Sequence, residues 1–171
     1  MTGSVRPATA GDAVMMAQVH VRSWQETYRG LMRDAVLDDP GLVEARERFW
    51  TAMLTDPRFE GNRAAVAQRA DGAVVGIALA GPSLENDAPC PLQLYVLYLL
   101  GAEHGTGLGA DLLHAVLAPD EEAMLWVADP NPRAQAFYRR HGFRPDGVEK
   151  VDDGVREIRL VRSPRPRDPL A

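Results

Sequence analysis

Leu97-Tyr-Leu-Leu-Gly-Ala-Glu-His-Gly-Thr-Gly-Leu-Gly109 joins an apolar, β-favouring run to a helical pattern through glycines at 101, 105, 107 and 109. The run behind it, Leu92 to Leu100, is nearly all apolar, which predicts a strand covered on both faces. The pattern ahead, Leu108 to Leu117, sets Leu108, Leu112, Leu113 and Val116 on one helical face. The first amides of a helix have no internal partner, glycines let ligand oxygens approach the backbone, and the helix dipole favours an anion. The stretch therefore predicts a pyrophosphate cradle. It lacks the lysine of a Walker A loop. Gly105-x-Gly107-x-x-Ala110 does fit a dinucleotide fingerprint, with Asp129 placed 24 residues after Gly105. That fingerprint normally follows the first strand of a doubly wound sheet, whereas only about 60 residues remain here.

Outward from this stretch, the pattern predicts a mixed α/β domain. Ser4 to Pro7 reads as a first strand, and Asp12 as the N-cap of a helix running to about Tyr28 and stopped by Gly30. Val43 to Leu54 is a second amphipathic helix. Arg63 to Arg69 and Ala73 to Ala80 form a strand pair around Asp71-Gly72. Beyond the glycine loop come a buried strand, Ala123 to Ala128, and a helix, Pro132 to His141, started by proline and closed by Gly142. A short strand from Phe143, a turn at Asp152-Asp153-Gly154 and a last strand, Val155 to Arg162, complete one domain over residues 1–162. A Pro/Arg-rich tail, 163–171, is expected to be disordered.

Composition narrows the function. The 171 residues are 46% hydrophobic and 25% charged, as in a soluble globular domain. One cysteine, Cys90, excludes an intrachain disulfide framework and a cysteine zinc site. The four histidines have no metal-ligand spacing, so no metal is expected. The net charge of −5 argues against nucleic acid and suits a cationic or amine substrate. No signal peptide or membrane span is read, and a cytoplasmic protein is expected.

His104-Gly-Thr-Gly-Leu-Gly109, after Leu97-Tyr-Leu-Leu-Gly101, resembles the [Q/R]-x-x-G-x-[G/A] acyl-CoA motif of the GNAT superfamily of N-acyltransferases. A second signature agrees: Asn131, Ala134, Phe137-Tyr138 and Gly142-Phe143 are similar to that family's N-x-x-A-x-x-[F/L]-Y-x-x-x-G-F segment. The resemblance spans roughly residues 4–162. It implies a mixed, mostly antiparallel sheet of six to seven strands with about four helices, and a splayed central parallel strand pair holding CoA. It further implies that Leu97, Tyr98 and Leu99 offer strand-edge groups to the pantetheine arm. His104, Gly105, Thr106, Gly107, Leu108, Gly109 and Ala110 hold the pyrophosphate, Asn131 contacts the arm, and Tyr138 is the general acid on the leaving thiolate. Asn131 and Tyr138 are seven residues apart, two helical turns, which lets both reach one extended ligand. A phenol with a reference pKa of about 10 carries a proton to donate at neutral pH.

Two departures stand out. His104 replaces Gln or Arg, and Trp126 stands where some relatives carry a glutamate base. Trp126 is instead expected to wall the cleft. The base is left open among Glu26, Glu85, Glu103 and His20. Trp24 and Tyr28 share a helical face and are expected at the amine site. The reading is thus an acetyl-CoA-dependent N-acetyltransferase. It acts by direct transfer to a primary amine on a small molecule or a protein N-terminus, and the resemblance allows a homodimer. The alternatives are an acetyl-CoA-binding sensor without catalysis, or a small dinucleotide-binding domain.

Overall fold

The computed structural model describes residues 3–163; the expected tail beyond Ser163 lies outside the described residues. Seven strands form one sheet: β1 (Ser4–Pro7), β2 (Arg63–Gln68), β3 (Val74–Pro82), β4 (Leu92–Leu99), β5 (Ala123–Ala128), β6 (Arg144–Asp152) and β7 (Val155–Arg162). Their order across the sheet is β1-β2-β3-β4-β5-β7-β6. Every neighbouring pair is antiparallel except β4 and β5, which run parallel at the centre. A doubly wound sheet would be parallel throughout its core, so this topology removes the dinucleotide-fold alternative.

Among the described residues there are five α-helices, α1 (Ala13–Tyr28), α2 (Asp34–Leu37), α3 (Leu42–Thr55), α4 (Leu108–Val116) and α5 (Pro132–Arg140); α1 and α4 pack on the sheet, and α2 and α3 on α1. α2 is a single turn, too short to leave a periodic trace in sequence. Asp12 stands at the N-cap position of α1, as expected, although its side chain makes no capping bond to the helix. A short 3₁₀ turn precedes α1, with Thr9 as its N-cap, and the Asp12 carboxylate accepts from the Thr9 N–H at 2.7 Å while Arg6 grips it at 2.8 Å.

The core is continuous. Trp50, Phe143, Met16, Ile77, Leu112, Leu113 and Leu125 are almost wholly buried between helices and sheet. β3 is covered on both faces, since Val74 to Gly81 are all buried. β4 is not. Leu94 and Val96 are buried, but Leu97, Tyr98 and Leu99 are half-exposed, contrary to the expected fully covered strand. The reason is the fork at the centre of the sheet. β4 and β5 pair only over Leu92–Ala123, Gln93–Met124 and Leu94–Leu125, and then diverge.

Candidate active site

The fork opens a cleft of about 900 Å³. Its walls are the splayed part of β4, the loop between β4 and α4, the middle of β5, the C-terminal half of α1 and one face of α5. Leu100 donates its N–H to Val75 O on β3 at 2.9 Å. Because amides alternate sides along an antiparallel strand, those of Leu97 and Leu99 turn away from β3, toward the cleft. Tyr98 points its backbone to β3, so the free edge consists of Leu97 and Leu99 and not of Tyr98. The Leu99 carbonyl is also taken, because His104 Nε2–H donates to it at 2.8 Å. His104 thus lines the cleft while fastening the loop to the strand.

The glycine loop meets the cradle expectation in part. Gly105 and Gly107 have φ of 82° and 94°, in the left-handed region that side chains resist. A Cβ would meet no atom within 4 Å at either position, so the requirement is conformational and not a matter of room. The amides of Thr106 and Ala110 bond Glu103 O and Gly107 O at 3.4 and 3.0 Å, and so drop out of the expected cradle. Leu108 N–H reaches only Thr106 Oγ1, at 3.5 Å. Among the described residues no backbone acceptor serves the amides of Gly105, Gly107 and Gly109. These three sit at the N-terminus of α4 and line the cleft. Two arginines of α5, Arg133 and Arg140, add positive charge to the same wall.

Across the cleft, α5 presents Asn131 and Tyr138. Asn131 is the N-cap, its Oδ1 accepting from Ala134 N–H at 3.3 Å, which leaves its NH₂ as the group able to meet a ligand. Tyr138 packs its ring on Phe143 and Phe137. Its hydroxyl has no hydrogen-bond partner among the described residues, although the side chain lines the cleft. Burial pushes this phenol above the ordinary tyrosine value.

The aromatic residues expected at the amine site divide. Tyr28 lines the cleft. Trp24 stands behind the wall, stacked edge-on against Tyr28 at 6.1 Å and donating its indole N–H to Tyr98 Oη at 2.9 Å. Trp126 lines the cleft as expected, held by an indole hydrogen bond of 2.5 Å to Glu85. The sequence reading missed Ser23, whose buried Oγ lies on the cleft wall without a partner. A serine inside a helix gives no signal of its own.

The match to known proteins follows this geometry. Residues 38–162 match the family model described as an acetyltransferase (GNAT) domain. The chain belongs to the GNAT acetyltransferase family. Within it, the chain is 39% identical over 115 residues to an uncharacterized N-acetyltransferase of Mycobacterium tuberculosis, covering 64% of this chain and 67% of that one. A Bacillus subtilis relative, the uncharacterized N-acetyltransferase YuaI, is 28% identical over 166 residues, covering 92% and 88%. A Corynebacterium glutamicum structure described as histone acetyltransferase HPA2 and related acetyltransferase superposes with a TM-score of 0.73 and 25% identity, over 98% of this chain and 99% of that one. The PaiA N-acetyltransferase of Thermoplasma acidophilum, solved in complex with coenzyme A, superposes with a TM-score of 0.70 and 19% identity, over 96% and 100%. The forked sheet is therefore the GNAT sheet, and the chain is an acyltransferase by family. Among the described residues no helix is long and apolar enough to cross a membrane.

Proposed function

We propose that this GNAT protein transfers an acetyl group from acetyl-CoA to a primary amine by direct attack within a ternary complex. One observation carries the reading: the partnerless amides of Gly105, Gly107 and Gly109 open into the same cleft as the partnerless Tyr138 hydroxyl. The residues fit the thioester co-substrate. The three amides and the α4 dipole suit a diphosphate, with Arg133 and Arg140 supplying charge. The Leu97 and Leu99 amides suit the carbonyls of a linear polyamide arm, as an added strand would. The coenzyme A complex of the Thermoplasma neighbour supports this assignment.

Acetyl-CoA supplies an activated acyl carbon and a thiolate leaving group. The chain supplies position and a proton. The free edge of β4 orients the acyl carbonyl, and alignment of this kind accounts for much of the acceleration in acyl transfer. Tyr138 keeps its proton at neutral pH, because its environment disfavours the phenolate, and holds it at Oη for the departing sulfur. His104 fastens the loop to the strand through its hydrogen bond to the Leu99 carbonyl.

Two measurements test the reading. In thermal unfolding, CoA at about 100 times its Kd adds about 2.7 kcal/mol, which for a chain this long raises Tm by about 5–10 °C. Stabilisation by NAD in place of CoA overturns the assignment. Thiol release from acetyl-CoA across a panel of small amines, amino acids, polyamines and peptide N-termini then reveals the acceptor class. Tight CoA binding with hydrolysis alone favours the sensor alternative.

A further inference from the structure

The carboxylates and the histidine first considered as proton acceptors already hold partners, and of the four only Glu26 lines the cleft. Glu26 accepts the Gly101 N–H at 2.8 Å and pairs with Arg22 at 3.2 Å. Glu103 faces Arg69 at 3.4 Å. Glu85 holds the Trp126 indole and lies 3.9 Å from Arg159. His20 is buried, its Nδ1 accepts from Trp50 Nε1 at 3.2 Å, and burial lowers its pKa to about 3.

Glu157 is placed differently. On β7 it is registered against Ala128, two residues beyond Trp126 on the same strand, so Glu157 and Trp126 project from one face of the sheet. On its other side it pairs with Lys150 of β6. Lys150 Nζ stands 3.6 Å from the carboxylate and 4.4 Å from the Trp126 ring centroid, and only 20% of the Glu157 side chain is exposed. Burial raises the phenols of Tyr28 on α1 and Tyr98 on β4, and the Glu157 charge adds to that rise. Cation, carboxylate and aromatic ring thus meet on the sheet face beside Trp126, the member of the group that lines the cleft.

We propose that Glu157 is the proton acceptor for the incoming ammonium group, with Tyr28 and Trp126 as the aromatic walls that seat it. The inference rests on the acetyl-transfer reading above. An acceptor ammonium gives one proton to the Glu157 carboxylate. Its freed lone pair forms the C–N bond at the acyl carbon of the thioester as the C–S bond breaks. The sulfur takes the Tyr138 proton, the second N–H proton of the acceptor restores the phenol, and Glu157 releases its proton to solvent. Burial raises the Glu157 carboxyl above the usual range, Lys150 opposes that rise and Asp152 adds to it. A carboxylate so placed accepts a proton more readily at neutral pH than an exposed one.

The test combines carboxyl ¹³C NMR titration of the protein alone with pH profiles of kcat/KM, using the most active primary amine of the panel above. Glu157 should titrate above the ordinary glutamate range, and the acid limb of kcat/KM should share its midpoint. Lys150→Gln should move both midpoints up, and Asp152→Asn should move both down. Glu157→Gln should lower kcat about 10²-fold or more, abolish the acid limb and leave the KM for acetyl-CoA unchanged. Glu157→Asp should restore part of the rate and the limb, and it carries the test if the glutamine variant does not fold. A limb that stays in Glu157→Gln, or that ignores the NMR midpoint, overturns the inference while leaving acetyl transfer standing. Absence of CoA binding in the wild-type protein overturns the acetyl-transfer reading instead.

Discussion

Two side chains show how burial sets chemistry at single positions. Tyr138 keeps a protonated phenol that bonds no group among the described residues and lines the cleft. Tyr138→Phe is expected to lower kcat about 10²-fold with CoA affinity unchanged, measured by thiol release and by calorimetric titration with CoA. Unchanged turnover removes the phenol from the reaction. His20 is the opposite case, a buried ring kept neutral against Trp50, Trp24 and Tyr98. Its folded pKa of about 3 lies below the ordinary imidazole value of 6.5, so the unfolded chain binds a proton that the folded chain refuses. Its contribution is complete above pH 6.5 and is lost as pH falls toward 3, at up to about 1.4 kcal/mol per unit. Urea unfolding between pH 7 and pH 5 should show this slope, reduced in His20→Gln. An equal slope in the variant assigns the acid sensitivity to other groups.

At the level of elements, the loop from Leu100 to Gly107 shows what a sequence discloses and what it withholds. Its glycine spacing pointed to a backbone that ligand oxygens can approach, and the structure adds that Gly105 and Gly107 hold positive φ there. Gly107→Val should therefore strain the loop by about 1–3 kcal/mol and abolish the thermal shift with CoA, whereas the fold should survive. A retained shift rejects the cradle. Which amides stay free was not legible, since that depends on the 3₁₀ turn that uses those of His104 and Thr106. The same limit explains the other surprises. Helix and strand periods placed Tyr138 and Trp126 on the right elements, but period alone does not say that Trp24 turns behind Tyr98 or that Glu157 shares a sheet face with Trp126. Those facts come from strand order, because β7 is inserted between β5 and β6.

Over the whole molecule, two half-sheets meet along three residue pairs of β4 and β5. Buried side chains on both sides of the seam, Leu94, Leu125 and Leu160 among them, hold it together more than hydrogen bonds do. Beyond Leu94 the edge of β4 is open, so the Leu97 and Leu99 amides should exchange with deuterium quickly in the free protein. CoA should slow them, together with Gly105, Gly107 and Gly109, by about tenfold or more, while Ile77 and Leu79 on β3 stay slow with or without it. Unaltered exchange at Leu97 and Leu99 would mean that no ligand strand lies there.

An unpaired strand edge on the rim of a sheet invites other polypeptides and is a hazard for aggregation. Here the same backbone is tucked between the arms of the fork, with α1 on one flank and α5 on the other. A thin, flexible chain slides in where a bulky folded neighbour is turned away, so the protein keeps a sticky surface for its small guest without displaying it to the crowd.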